Sequence, residues 1–172
     1  MTKNEMPALM SVDDFKIVTA IEEDVALILS FIRELAEYER LSDRVSATED
    51  MLREELFGSR PGAEAIIGYD KDEPVSFAVF FHNFSTFVGR RGLYLEDLFV
   101  KPESRGKGIG RAMLAYLAKL AEERQCGRLE WAVLDWNEPA IKFYQSLGAT
   151  PMDDWTTFRL TGDALERLAR ET

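Results

Sequence analysis

Val25, Ile28, Leu29, Ile32, Leu35 and Ala36 recur at three- and four-residue intervals, the spacing of a helix with one buried face, and predict an amphipathic helix from about Glu22 to Glu39. Phe15 to Val18 precedes it as a short strand. A second, shorter helix is expected after a Thr48 cap, with Met51, Leu52 and Leu56 on its apolar face and Gly58 and Pro61 ending it. Three successive strands then follow at residues 65–69, 74–81 and 93–100. The middle one is nearly all apolar, which predicts burial on both faces. Ile109, Met113, Tyr116, Leu117, Leu120 and Ala121 form the next helical stripe, and a strand is expected around Leu129 to Val133. Asn137-Glu138-Pro139 opens a helix with Ala140, Phe143, Tyr144 and Leu147 on one face, and Gly148 stops it. A last strand pair over residues 150–160 and a terminal helix from about Asp163 complete an α/β pattern.

Between the strand ending at Val100 and the helix of Ile109 lies Arg105-Gly106-Lys107-Gly108-Ile109-Gly110. Glycines there bring a ligand close to the backbone, and the unbonded N–H groups of the helix start face negative charge, so the stretch reads as a phosphate cradle or, alternatively, a tight surface turn. It is neither G-x-x-x-x-G-K-[ST] nor G-x-G-x-x-G, which lowers both common nucleotide readings.

The chain has 172 residues, 46% hydrophobic and 30% charged. That length is enough for one domain with a full core. Residues 1–14 are expected to be a flexible N-terminal segment and 15–172 a single domain. No secretory signal or membrane span is visible, and a cytoplasmic location is expected. A net charge of −10 argues against nucleic acid and fits a cationic small molecule. The single cysteine, Cys126, and single histidine, His82, are too few for a His/Cys metal cage, and no metal is expected. His82 reads as a polar residue at a strand end.

Several of these stretches together carry a resemblance: Leu95-Glu96-Asp97, the Arg105–Gly110 loop, Trp136-Asn137-Glu138-Pro139, Phe143-Tyr144, Gly148-Ala149 and Arg33 to Glu39. In that order they resemble the GNAT superfamily of acyl-CoA-dependent N-acetyltransferases, whose loop pattern [QR]-x-x-G-x-[GA] is matched by Arg105, Gly108 and Gly110. More narrowly, they resemble its diamine (spermidine/spermine) and thialysine acetyltransferase branch. Leu41-Ser42-Asp43 and Ala132 to Asn137 look more like the thialysine type. Polyamine enzymes carry Asp-x-Trp where this chain has Ser85-Thr86-Phe87, and the thialysine type has Trp at the place of Phe87.

The resemblance implies a GNAT fold, a mixed and mostly antiparallel central sheet flanked by helices. It implies acetyl-CoA as co-substrate and a homodimer. Cofactor contacts would come from Leu98, Phe99 and Val100, from Arg105, Gly106, Lys107, Gly108, Ile109, Gly110 and Arg111, and from Asn137, Glu138, Pro139, Ala140 and Tyr144. Tyr38, Glu39 and Glu96 would meet the amine substrate. Glu96 would accept its proton, with strand alternation turning Asp97 to the other face, and Tyr144 would act as general acid. The activity so implied is transfer of acetyl from acetyl-CoA to a primary amine of a small diamine, polyamine or thialysine/lysine-like substrate. A protein or peptide amine acetyltransferase and a non-enzymatic acyl-CoA-binding module are the alternatives.

Overall fold

Residues 14–171 are described by a computed structural model; all of the N-terminal segment except Asp14 lies outside the described residues. The apolar runs pair into one five-stranded sheet in the order β1 (Phe15–Thr19), β2 (Glu64–Asp70), β3 (Glu73–Ser85), β4 (Arg90–Val100) and β5 (Leu129–Trp131). Short turns make β2, β3 and β4 antiparallel neighbours. The β4–β5 pair is parallel, so its connection must cross over, and it does so through helix α3 (Ile109–Glu123).

The two sheet faces carry different helices. On one, α1 (Val25–Tyr38) and α2 (Glu49–Phe57) bury Ile28, Phe31 and Leu56 against Ala65, Ile67, Phe77 and Phe99. Phe31 stacks on Phe77 at 5.2 Å between ring centres and meets Phe99 edge-on at 6.3 Å. On the other face α3 buries Met113 and Leu117, and at its end Arg124 lies over the Phe80 ring. Arg124 also grips both carboxylate oxygens of Glu64, at 2.5 and 2.7 Å, which ties the helix terminus to β2. Residues 75–78 of β3 are buried on both sides, as their composition predicts.

The expected boundaries move where local bonds decide them. The Asp24 carboxylate accepts the Ile21 N–H at 2.9 Å, and a 3₁₀ turn over Glu22–Asp24 precedes α1. Thr48 caps α2 by accepting the Met51 N–H at 3.3 Å. His82 is not at a strand end: β3 continues through Ser85 because Asn83 and Phe84 pair with Gly92 and Arg91. The last strand ends at Trp131 rather than Val133.

The chain divides into two compact units at the Ala132/Val133 boundary. The first holds the sheet and α1 to α3; the second holds α4 (Glu138–Ser146) and α5 (Gly162–Ala169). The strand pair expected over 150–160 does not form. A strand needs a neighbour for its backbone groups, and among the described residues none pairs with this segment, which exposes Trp155 and Phe158.

Candidate active site

β4 runs five residues beyond its last pairing with β5, which stops at Leu95 opposite Trp131. Along residues 96–100 that edge of β4 therefore carries no strand among the described residues. Lys101 donates to the Val75 carbonyl at 2.9 Å. Ladder alternation thus turns Phe99 toward β3 and Leu98 and Val100 toward the open edge. Of the strand residues expected to meet a pantetheine chain, Leu98 and Val100 have the right orientation. Phe99 does not, since its backbone faces Phe77 and its side chain is core. The Val100 carbonyl is already taken, accepting from Arg105 Nε at 2.9 Å.

This last bond shows how the loop is anchored. The Arg105 guanidinium folds back onto β4 and stacks over Tyr38 at 4.4 Å and Phe99 at 5.5 Å. These cation–π contacts join two expected site residues, Arg105 and Tyr38. Gly106 and Gly108 then adopt φ of +75° and +84°. Such a left-handed backbone costs other residues about 1–2 kcal/mol. Gly108 is the N-cap of α3, and the N–H groups of Gly106, Lys107 and Gly108 meet no backbone acceptor among the described residues. They can hold an anion. Lys107 lies 3.9 Å from Asp70 and is engaged there. A separate cavity of about 820 Å³ borders Lys107, Gly108 and Arg111 on the side of Asp70, Glu73 and Lys101; Leu98 and Val100 do not line it.

The carboxylates occupy the start of the open edge. Across β3–β4, Val79 faces Asp97 while Phe80 faces Leu95, so Glu96 is the extra residue of a β-bulge. Alternation fails at this point. Val79 packs on the α1 side, and its partner Asp97 is set on that side too, where Glu39 ends α1. Burial raises the Asp97 carboxyl to about 6, helped by the negative charges of Glu96 and Glu39. Burial likewise raises Glu39. Glu96 itself is exposed. Glu39, Glu96 and Asp97 together can bind an ammonium group and take a proton near neutrality. Asp97 is the residue that alternation sets aside; a bulge leaves no mark in the sequence beyond the adjacent pair of acids.

The other expected residues lie in the second unit. Asn137 caps α4, its Oδ1 accepting the Ala140 N–H at 3.4 Å, and Glu138 and Pro139 form the first turn. Tyr144 is half-buried on α4, 5.4 Å from Phe143 between ring centres. Gly148, at φ +88°, follows the helix end.

Residues 29–149 match the acetyltransferase (GNAT) family. The chain is 40% identical to thialysine N-epsilon-acetyltransferase of Bos taurus over 161 residues, covering 87% of this chain and 94% of that one. It is 31% identical to an L-ornithine N5-acetyltransferase of Arabidopsis thaliana, covering 89% and 87%. Among solved structures, an integron cassette protein from V. cholerae superposes with a TM-score of 0.77 at 30% identity, covering 91% of this chain and 98% of that one.

Proposed function

The chain belongs to the acetyltransferase (GNAT) family, and on that premise we propose that it moves acetyl from acetyl-CoA directly to a primary amine of a small lysine-like or short diamine substrate. The observation that carries the reading is the run of β4: three carboxylates at Glu39, Glu96 and Asp97, then an unpaired strand edge, then a glycine loop at a helix N-terminus. Cation, extended chain and phosphate are recognised in that order. The names of the thialysine and ornithine enzymes it resembles support the same substrate class.

Acetyl-CoA supplies an activated thioester. The amine, with a pKa of about 10.4, is neutral in only about 1 of 2,500 molecules at pH 7, a deficit of about 4.6 kcal/mol. Glu96, on the exposed bulge, meets the ammonium group and accepts its proton with Asp97 beside it. Backbone groups of Leu98 and Val100 hold the pantetheine amides. Gly106 to Arg111 hold the phosphates; Asn137 to Ala140 are further cofactor residues that the family resemblance implies. The Tyr144 phenol donates its O–H proton to the leaving thiolate.

The family match spans the Ala132/Val133 boundary, which supports residues 15–172 acting as one acetyltransferase domain. A cytoplasmic homodimer, free of nucleic acid and membrane, completes the proposal. The net charge of −10 supports the exclusion of nucleic acid, and among the described residues no helix is long and apolar enough to cross a membrane. Light scattering after size exclusion checks the dimer. The substrate class is tested by kcat/KM for thialysine, ornithine, short diamines, spermine and N-terminal peptides. Spermine or a peptide exceeding the compact amines by tenfold overturns it.

A further inference from the structure

A second polar group lies on the α1 side of the sheet, toward the opposite end of β4 from the glycine loop. Phe81 faces Tyr94 and Asn83 faces Gly92 across β3–β4, and Tyr94 faces Glu130 across β4–β5. Phe81 and Asn83 share the parity of Val79, so their partners lie on the same side as Asp97. Arg128 and Glu130 share a parity as well. Their side chains meet: Arg128 Nε is 2.7 Å from Glu130 Oε2, and Asn83 Nδ2 donates to the same oxygen at 3.0 Å.

Gly92 makes this convergence possible. A Cβ there would collide with Asn83 Oδ1 and come within 3.0 Å of the Arg128 stem. The polar group is nevertheless incomplete. No hydrogen bond reaches Glu130 Oε1 among the described residues, and Asn83 Oδ1 is buried with no partner. The amide cannot simply turn over, because its oxygen would then face the Glu130 carboxylate. Asn83 Oδ1 and Glu130 Oε1 are thus acceptors open to a further donor, and the Arg128 side chain, paired with Glu130 through Nε, is 39% exposed at the rim.

Between this pair and the Glu96/Asp97 carboxylates lies an aromatic floor. Phe81 and Tyr94 pack with ring centres 5.2 Å apart. Burial raises the Tyr94 phenol, and so do the charges of Glu96 and Glu130, which puts the ring within electrostatic reach of both ends. From residue 97 to residue 94, and one strand across to residue 130, is roughly 10 Å at the backbone. A span of that order matches a short methylene chain lying on the rings between two polar ends.

We propose that Glu130 and Arg128, organised by Asn83 over Gly92, read the far end of the acceptor as an α-amino acid: Glu130 binds its α-ammonium and Arg128 its α-carboxylate. The inference rests on the acetyl-transfer reading and assigns the residues that would select the amino-acid end of its substrate. A carboxylate beside a guanidinium is the complement of a zwitterion, whereas a diamine would set one of its cations against Arg128.

The test compares L-ornithine with 1,4-diaminobutane, which differs only in lacking the carboxylate. Wild-type kcat/KM should favour ornithine by at least tenfold. Arg128→Gln should reduce that ratio tenfold or more, and Glu130→Gln should lower kcat/KM for ornithine relative to butylamine by a similar factor. Thermal unfolding of each variant reports that it is folded. A wild-type ratio near one, or folded variants that keep the wild-type ratios within twofold, overturns the inference. If no amine is acetylated, the acetyl-transfer reading falls by itself. Calorimetry with ornithine then decides the zwitterion site: binding lost in Arg128→Gln supports it, and no binding to the wild type overturns it.

Discussion

Asp97 faces Val79 across the β3–β4 ladder, in register with Phe99 opposite Phe77, while Phe80 already faces Leu95 and leaves Glu96 between them without a partner. Asp97 thus lies on the α1 side of the sheet with Phe99, where burial and two neighbouring carboxylates raise it to about 6. Because the folded pKa lies above the unfolded one, the native state keeps a proton between about pH 4 and 6 that the unfolded chain has released. The stability this confers is present at low pH and is lost as pH rises through 6. The shift from 3.8 to about 6 sets an upper bound of about 3 kcal/mol.

Asp97→Asn should therefore be more thermostable than the wild type at pH 8, by about 2–4 °C for each kcal/mol recovered. The difference should close toward pH 4. Calorimetric melting across that range checks both statements, and a variant less stable at pH 8 contradicts the electrostatic account.

Activity should respond in the opposite sense. Loss of one member of a proton-accepting pair is expected to lower kcat by about 100-fold. The wild-type kcat/KM profile should fall on the acid side with a midpoint near 6, and Asp97→Asn should abolish that limb or displace it. An acid limb unmoved in Asp97→Asn removes this carboxyl from proton transfer.

Tyr144→Phe should keep acetyl-CoA affinity within about twofold while kcat falls about 10- to 1,000-fold, the range expected for loss of a general acid. Single-turnover rates with saturating acetyl-CoA separate this from a binding defect. Wild-type chemistry in the variant excludes the phenol from the reaction.

Gly108→Val places a branched side chain at φ +84°. Only glycine is at ease there, and the N–H groups of this loop face the expected phosphates. Among the described residues nothing stands within 4 Å of a Cβ at this position. Strain of about 1–2 kcal/mol should lower the melting temperature modestly, and CoA affinity should fall at least tenfold. Calorimetry giving wild-type CoA affinity in a folded variant refutes the phosphate assignment.

The Arg124–Glu64 clamp should be measurable in a double-mutant cycle. We expect a coupling of about 1 kcal/mol at pH 7, since the groups are part-exposed and the geometry is bidentate. The Arg124 hydrogen bond holds the Glu64 carboxyl below its usual range. Its contribution is thus present above the ordinary carboxylate pKa and is lost as pH falls through the depressed one. Urea unfolding at pH 7 and pH 3 checks the sign.

The parts of the site visible in the sequence are those encoded by neighbouring residues. The Arg105–Gly110 loop, the Asn137 cap and the Thr48 cap depend on bonds spanning a few positions, so residue type and order suffice. Glu39 is visible because a helix end is visible. Asp97 is hidden because period-two alternation assumes a regular strand, and the bulge depends on how β3 meets β4. The strand pair expected over 150–160 shows the same gap from the other side, since apolar residues there suggest strands but pairing partners are not a local property.

By itself the sequence determined the kind and order of most elements, the cradle at the start of α3, the family resemblance and the acids available to meet an amine. All of these follow from local periodicity, capping and short motifs. Only the tertiary structure decided that Glu96 stands out of register, that Arg105 consumes the Val100 carbonyl while stacking on Tyr38, and that Asn83, Arg128 and Glu130 converge over Gly92. Each of these relationships links residues brought together by strand register or chain return. Register is set by the summed burial and hydrogen bonding of whole strands, so no short stretch of sequence contains it.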